Sequence, residues 1–563
     1  MLALLWTGSA NAGLFVTPDS ASTELALGTR LCGTTAGHTA YHFDHCPRYR
    51  SLVSRVSEDI SLQQRKAREK LGGKPIDVFE QDWLRSSKTR FVLTGIIFRG
   101  DRQPFLSGAC AEVRLVYRLA GKYQDEGTEQ ETYLPFTLLL AYEIPGKNRR
   151  CAKLAADSLD VKLQEKAWIE AISTAPFRVE LNFLNLRVEA PILEKSAGYA
   201  EYFMRTLRPK GEDLVVVALE NTPDVDRILK SATKKKAYLD WIERNLGEIA
   251  SGTAHLPDDL CASHAVSVAP FGALRKINAP FSQLPLPNVD LKAHKKIATT
   301  NLLLRRLNGM SCQGCHQTRS DAGFHFLGKN LEKSFKFNRT TLPASAHFFS
   351  EQSWRQQVTE SLAKGHEVPA RPFPGNLDAV PSAGSVCTLS TNFEPAGCGD
   401  SLSCRHPWEA DAPEVNVGYC QLKKAPIAGE PCLLGNWTNR GGMDDALEMV
   451  LNTDCFGRAQ CLPQKIGFPG GLCAASCEDN LPNSVCHPVP ALQKFTDCRA
   501  ANRGLAKCFE QAATPVSLRA CGIDMPCRPD YVCALREAGD ETKGGACVPP
   551  YFLPQLNTRG HEF

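Results

Sequence analysis

The sequence predicts a multidomain α+β protein with a β-rich, sandwich-like N-terminal region, a mainly helical middle region and small disulfide-rich modules towards the C-terminal end. Three observations carry this. Apolar residues alternate with period two between about residues 88 and 220, recur at helical spacing after Thr222, and give way to a block holding sixteen of the 23 cysteines, Cys387 to Cys547. At roughly 150 residues per domain, a chain of 563 residues has room for several independent cores.

Residues 1–12 read as the remnant of an export signal, because Met1 to Trp6 is apolar and Ala10-Asn11-Ala12 forms a small-residue cleavage site before Gly13. The positively charged start of such a signal is missing. Residues 13–220 form the β-rich domain. Glu112 to Leu119 places Val113, Leu115, Tyr117 and Leu119 on one face of a half-buried strand. Arg178 to Phe183 alternates likewise, after which the apolar parity moves to Leu184, Leu186 and Val188; a bulge near Leu184 accounts for the shift. Phe91–Phe98, Tyr133–Ile144 and Asp213–Leu219 bring the strand candidates to at least five, enough for a sandwich or a strongly twisted sheet.

Residues 221–368 form the mainly helical region. Thr222-Pro223 has the form of an N-cap followed by proline at the first helical position, and Val225, Ile228, Leu229 and Ala232 then follow at helical spacing. Leu239, Ile242, Leu246 and Ile249 define a second amphipathic segment, and a further helix from about Ile297 carries Leu303, Leu304 and Leu307 towards Met310. Residues 369–384 are a linker, 385–550 the cysteine-rich repeat domain and 551–563 a tail. In that domain Cys398-x5-Cys404-x15-Cys420, Cys455-x5-Cys461-x11-Cys473 and Cys527-x5-Cys533-x13-Cys547 share a gap of five residues and a glycine two residues before the last cysteine. Short hairpins stapled by up to eight disulfides are expected, since units too small to bury a sufficient core are stabilised by cross-links. The spacing resembles the small disulfide modules of extracellular animal proteins such as the dickkopf family, a likeness of architecture that implies no function.

Hydrophobic residues at 43%, charged residues at 22% and a net charge of +4 are ordinary for a soluble protein and call for no nucleic-acid partner. The run Lys234-Lys235-Lys236 falls within a helical pattern and reads as a solvated face. No stretch in the mature chain reaches the roughly 18 to 20 apolar residues that span a bilayer. The cysteine density points to an oxidising compartment.

The sharpest chemical signal is Gly309-Met-Ser-Cys312-Gln-Gly-Cys315-His316. With 23 cysteines and 13 histidines in the chain, Cys-x-x-Cys-His arises by chance only roughly 0.02 times. A local disulfide and a zinc half-site are the competing readings, but the two cysteines stand outside the dense block and no second Cys-x-x-Cys completes a zinc ribbon. The motif resembles the haem-attachment site of c-type cytochromes, over some twenty to forty residues. That resemblance implies one covalent haem c, with Cys312 and Cys315 adding across its two vinyl groups and His316 as the proximal iron ligand. It also implies a second axial ligand, and here the sequence departs from the family, because no methionine occurs between His316 and Met443. His325 is the nearest histidine, either an axial or distal-pocket group or a structural residue in a turn; His347, Met443 and Met449 are further candidates, and a five-coordinate iron is the remaining option.

Near the N-terminus Cys32, His38, His42, His45 and Cys46 cluster, either as a metal site or as a disulfide between Cys32 and Cys46 closing a polar loop. Cys110 and Cys151 are a second expected bridge, leaving Cys261 over. No Gly-x-Ser-x-Gly, His-Glu-x-x-His or phosphate-binding glycine loop is present, so hydrolase and nucleotide chemistry find no support; the catalytic residues, if any, are unknown. The resemblance therefore implies an exported bacterial protein, periplasmic or secreted, passing single electrons between its haem and a redox partner protein or a small donor or acceptor. Two further readings stand beside it. One is a haem oxidoreductase of peroxidase or oxygenase type with an open iron site; the other is a secreted binding or adhesion protein with structural haem or none.

Overall fold

The computed structural model describes residues 14–16, 25–33, 40–71, 76–77, 81–106, 108–125, 128–188, 199–269, 279–312 and 352–371, and beyond these eight short strands between 386 and 548. An antiparallel β-rich region with accompanying helices dominates the described residues. Nine strands form one sheet: β1 (Phe15–Val16), β2 (Ile76–Asp77), β3 (Thr89–Arg99), β4 (Ala109–Asp125), β5 (Thr128–Pro145), β6 (Phe177–Val188), β7 (Tyr199–Lys210), β8 (Asp213–Val217) and β9 (His264–Ala269). The order is β1-β3-β4-β5-β6-β7-β8, with β2 added to β6 and β9 to β7. The strands expected between residues 88 and 220 are thus present, but among the described residues they make one sheet rather than the two of a sandwich. Helices cover one face instead, and β9, from the mainly helical stretch of sequence, lies beside β8 along one edge.

Two details of register follow from the sequence pattern. Val113, Leu115, Tyr117 and Leu119 all turn into the main core. The pairing of β6 with β7 slips between Leu184 and Leu186, where the apolar parity changes, so a bulge absorbs the extra residue.

The main core lies on one face of the sheet, under α1 (Pro47–Leu71), α2 (Arg149–Leu159) and α3 (Gln164–Ile172). A row of aromatic rings crosses it: Phe91 to Phe136 at 6.0 Å, Phe136 to Phe183 at 5.9 Å and Phe183 to Phe203 at 5.2 Å between centroids. Trp168, fully buried, stacks on Phe98 and donates its indole N–H to Ser158. Both expected N-terminal disulfides are present, Cys32–Cys46 and Cys110–Cys151.

A second core joins α4 (Val225–Lys230), α5 (Ala232–Arg244), α6 (Leu246–Ser251) and α7 (Thr300–Met310). The first of these helices starts later than Thr222-Pro223 indicates. Pro223 instead bridges Cys261 in a short β contact, and Asp224 caps the helix by accepting from the Arg227 N–H. Helix α7 begins with Thr299 as its cap and buries Leu303, Leu304 and Leu307, as the spacing anticipates. Helix α8 (Gln352–Lys364) packs on α2 and on the turn Gly100–Phe105. No helix among the described residues is long and apolar enough to cross a membrane.

In the cysteine-rich part, β10 (Val386–Thr388), β11 (Leu402–Arg405) and β12 (Val417–Leu422) form one small antiparallel sheet. β13 (Ala459–Leu462) pairs with β14 (Leu472–Ala475), and β15 (Ala520–Cys521), β16 (Val532–Leu535) and β17 (Gly545–Val548) form a third unit. Each unit contains the end of one sequence repeat, and two of them add a strand from before it, β10 and β15. The last two cysteines of each repeat are register partners across an antiparallel pair: Cys404 with Cys420, Cys461 with Cys473, and Cys533 with Cys547. The shared glycine also has a place, since Gly418 and Gly545 lie opposite Cys387 and Cys521 on the third strand.

Candidate functional site

The face of the sheet opposite the aromatic row is built differently. On β4 the alternate positions are Glu112 and Arg114, on β6 Arg178 and Glu180, on β5 Glu143 and on β7 Arg208. Period-two geometry brings them to one surface, where they interlock. Glu112 has no exposed side-chain surface and meets three guanidinium groups, Arg114 at 2.7 Å, Arg178 at 2.8 Å and Arg102 at 3.3 Å. Arg178 also reaches Glu180 at 2.8 Å and Glu143 at 3.4 Å, Arg208 reaches Glu143 at 2.6 Å, and Arg102 continues to Glu220.

The charges set one another. Burial by itself would raise the carboxyl of Glu112, but Arg178, Arg114 and Arg102 overcome it and hold it well below the ordinary carboxylate range. Burial likewise opposes ionisation of Glu180, yet Arg114 and Arg178 bring it down to about 2. Glu220 is lowered against burial by Arg102. All three carboxylates are therefore ionised at neutral pH, and the lattice is a fixed array of opposite charges in a low-dielectric setting.

Over this array lies a cavity of about 600 Å³, within the range of small-molecule and cofactor sites, roughly 300–1,000 Å³. Its floor is the ionic face of the sheet with Ile97 and Leu139, and one wall is formed by Met310, Ser311 and Cys312 at the end of α7. Arg355 of α8 and Arg371 also line it, and Arg371 lies beside the end of α7, its guanidinium donating to the Gly309 carbonyl.

The position of Cys312 is fixed by a turn at Glu220–Thr222. Its backbone N–H donates to the Thr222 hydroxyl at 3.1 Å, and its thiol donates to the Glu220 carbonyl at 3.4 Å. Asn221 holds the turn in the left-handed region, φ 51°, which Asn tolerates better than most residues. Its side chain bonds both the Ala254 carbonyl, at 3.0 Å, and the Leu256 N–H, at 2.7 Å. The same turn carries Glu220 to Arg102, so one short segment ties the motif cysteine to the ionic lattice. On its other side lies the buried thiol of Cys261, pushed up to about 12 by burial and the nearby Asp258.

Of the residues singled out by the motif, Cys312 is placed at the cavity wall. Cys315, His316, His325, His347, Met443 and Met449 lie outside the described residues, as does His38 of the N-terminal cluster. In that cluster the disulfide alternative is the one realised, and His45 is exposed. Among the described residues no three histidine, cysteine or acidic side chains gather as a metal-holding group.

The cavity lining is mixed: the Cys312 thiol stands at the wall among apolar side chains such as Ile97 and Leu139, and the charged side chains of the floor are paired with one another. Sequence reasoning missed the arginine and glutamate array. Its signal was the charged residues at alternate positions, Glu112 with Arg114 and Arg178 with Glu180, on the face opposite the apolar stripe. The chain matches no protein-family model, no curated protein and no solved structure.

Proposed function

We propose that this chain is an exported carrier of one covalent c-type haem that passes single electrons to a redox partner, a protein or a small donor or acceptor. The observation that carries the reading is that the first thiol of the single Cys-x-x-Cys-His motif lies at the wall of a cofactor-sized cavity lined by apolar, polar and ion-paired charged side chains. Bound there, haem would supply a metal centre that accepts and returns one electron. The chain's own residues would do the rest. Cys312 and Cys315 would hold the group by thioether bonds, and His316 would be its proximal ligand. The walls would limit water and so tune the potential. Two disulfides in the described residues agree with folding in an oxidising compartment, periplasmic or extracellular. The cysteine-rich repeats would form separate modules after the haem-bearing region.

The test is expression in an exporting host with cytochrome c maturation machinery, comparing wild type with Cys312→Ala/Cys315→Ala. Wild type is expected to keep a haem stain through denaturation and to titrate reversibly with a one-electron Nernst slope, and the double variant to do neither. Wild type without stain, in a host that matures a control cytochrome, overturns the proposal.

A further inference from the structure

We propose that each of the three cysteine repeats is closed by a disulfide across its last antiparallel pair, Cys404–Cys420, Cys461–Cys473 and Cys533–Cys547, an assignment independent of the haem reading. The register sets Cys404 of β11 opposite Cys420 of β12, Cys461 of β13 opposite Cys473 of β14, and Cys533 of β16 opposite Cys547 of β17. Residues directly opposite in an antiparallel pair share a face, with Cα atoms about 4.5 Å apart at a non-hydrogen-bonded position and about 5.5 Å at a hydrogen-bonded one. Both values fall within the roughly 4.4–6.8 Å that a disulfide spans. The loop between the two cysteines holds 15, 11 and 13 residues in the three units, yet the cysteines stay opposite in each. A cross-link requires that register and no particular loop length.

The remaining strand cysteines are placed differently. Cys387 of β10 lies opposite Gly418, and Cys521 of β15 opposite Gly545, so neither faces a cysteine on the central strand. The central-strand cysteine of each unit, Cys420 or Cys547, stands two residues further along, at a diagonal position. Diagonal neighbours lie about 7–8 Å apart, beyond the reach of a disulfide without backbone movement. Cys387 and Cys404 flank β12 on either side, as Cys521 and Cys533 flank β17, and two strand spacings of about 4.8 Å separate them. Among the strand cysteines, the register thus leaves one pair per unit within bonding range. Each bond forms by exchange: one thiolate of the pair attacks the disulfide of an oxidising donor protein, and the second displaces the donor from the mixed disulfide. The donor leaves as a dithiol, carrying the two electrons and, through water, the two protons. Pairs closed within a repeat also keep these six thiols out of exchange with Cys312 and Cys315.

The experiment uses the full-length chain exported into an oxidising compartment, with free thiols alkylated at acid pH before unfolding. The unreduced chain is cut with trypsin and a protease specific for acidic residues, which separate neighbouring cysteines at sites such as Asp400 and Arg405, or Asp530 and Arg536. Mass spectrometry is expected to find the peptides of Cys404 and Cys420, of Cys461 and Cys473, and of Cys533 and Cys547 joined until reduction. Electron-transfer fragmentation distinguishes Cys473 from Cys477, which share a peptide. In Cys533→Ala, Cys547 should become the one newly alkylated thiol, with the Cys404 and Cys461 links unchanged. The wild-type map needs no variant to fold. Any of Cys404, Cys461 and Cys533 linked to a cysteine other than its register partner, or alkylated as a free thiol in wild type, overturns the assignment. So does Cys533→Ala if it frees Cys527 in place of Cys547.

Discussion

The two faces of the nine-stranded sheet are made from the same strands and do opposite work. One is hydrocarbon, an aromatic row from Phe91 to Phe203 sealed by α1 and α3. The other is ionic, a lattice around Glu112 that opens onto the cavity at Cys312. Burying apolar surface is the general source of stability, about 25 cal/mol per Å², whereas buried ion pairs roughly break even against their desolvation. A protein that needed only a stable sheet would have covered both faces with hydrocarbon. The ionic face is the one that borders the cavity.

Single substitutions on the two faces should cost similar amounts for different reasons. Phe136→Ala leaves a cavity in the aromatic row and is expected to lose about 3–5 kcal/mol. Glu112→Ala leaves three guanidinium groups without their shared carboxylate and is expected to lose about 3–5 kcal/mol as well, read by urea unfolding. On the haem reading proposed above, Phe136→Ala should leave the reduction potential of the folded protein in place, and Glu112→Ala, which removes a buried negative charge beside the cavity, should raise it. A neutral effect of Glu112→Ala on both stability and potential would break the contrast.

On the apolar side, Cys110→Ala/Cys151→Ala opens a loop of sequence separation 41 and should cost about 3–4 kcal/mol by the same measurement. A smaller expected effect concerns pH. Glu112, Glu180 and Glu220 hold their carboxyls below the ordinary value of 4.5, Glu180 at about 2. The folded chain thus binds these protons less readily than the unfolded one. The stability they lend is complete above 4.5 and is lost as pH falls towards 2, so the thermal midpoint should drop across that window and flatten in Glu180→Gln. A midpoint independent of pH below 4.5 would contradict the ionic account of this face. Smallest of all, Cys261 should resist alkylation at mildly alkaline pH in the native protein and react only on unfolding, because burial keeps its thiol protonated.

Much of the fold was legible from periodicity. The apolar stripe of β4, the bulge at Leu184 and the leucines of α7 each follow from spacing, because one face of each element is buried. The N-terminal bridges were legible because their cysteines stood apart from the dense block. What could not be read was long-range. That β9 would join β7, or that the turn at Glu220–Thr222 would bring Cys312 to the sheet, depends on contacts some 60 to 90 residues apart, which no local pattern encodes. The cysteine repeats were visible as spacing, and their register shows why the spacing is shared: it sets the last two cysteines opposite one another in all three units.

On the proposed reading, Cys312 would tether a haem in the cavity above the ionic face. The most direct measurement is the intact mass of the denatured, exported chain, followed by mapping of the peptide that contains Cys312. The expected mass exceeds that of the polypeptide by one haem, carried on the peptide from Met310 to His316. A chain at its bare polypeptide mass, from a host that matures a control cytochrome, would contradict it.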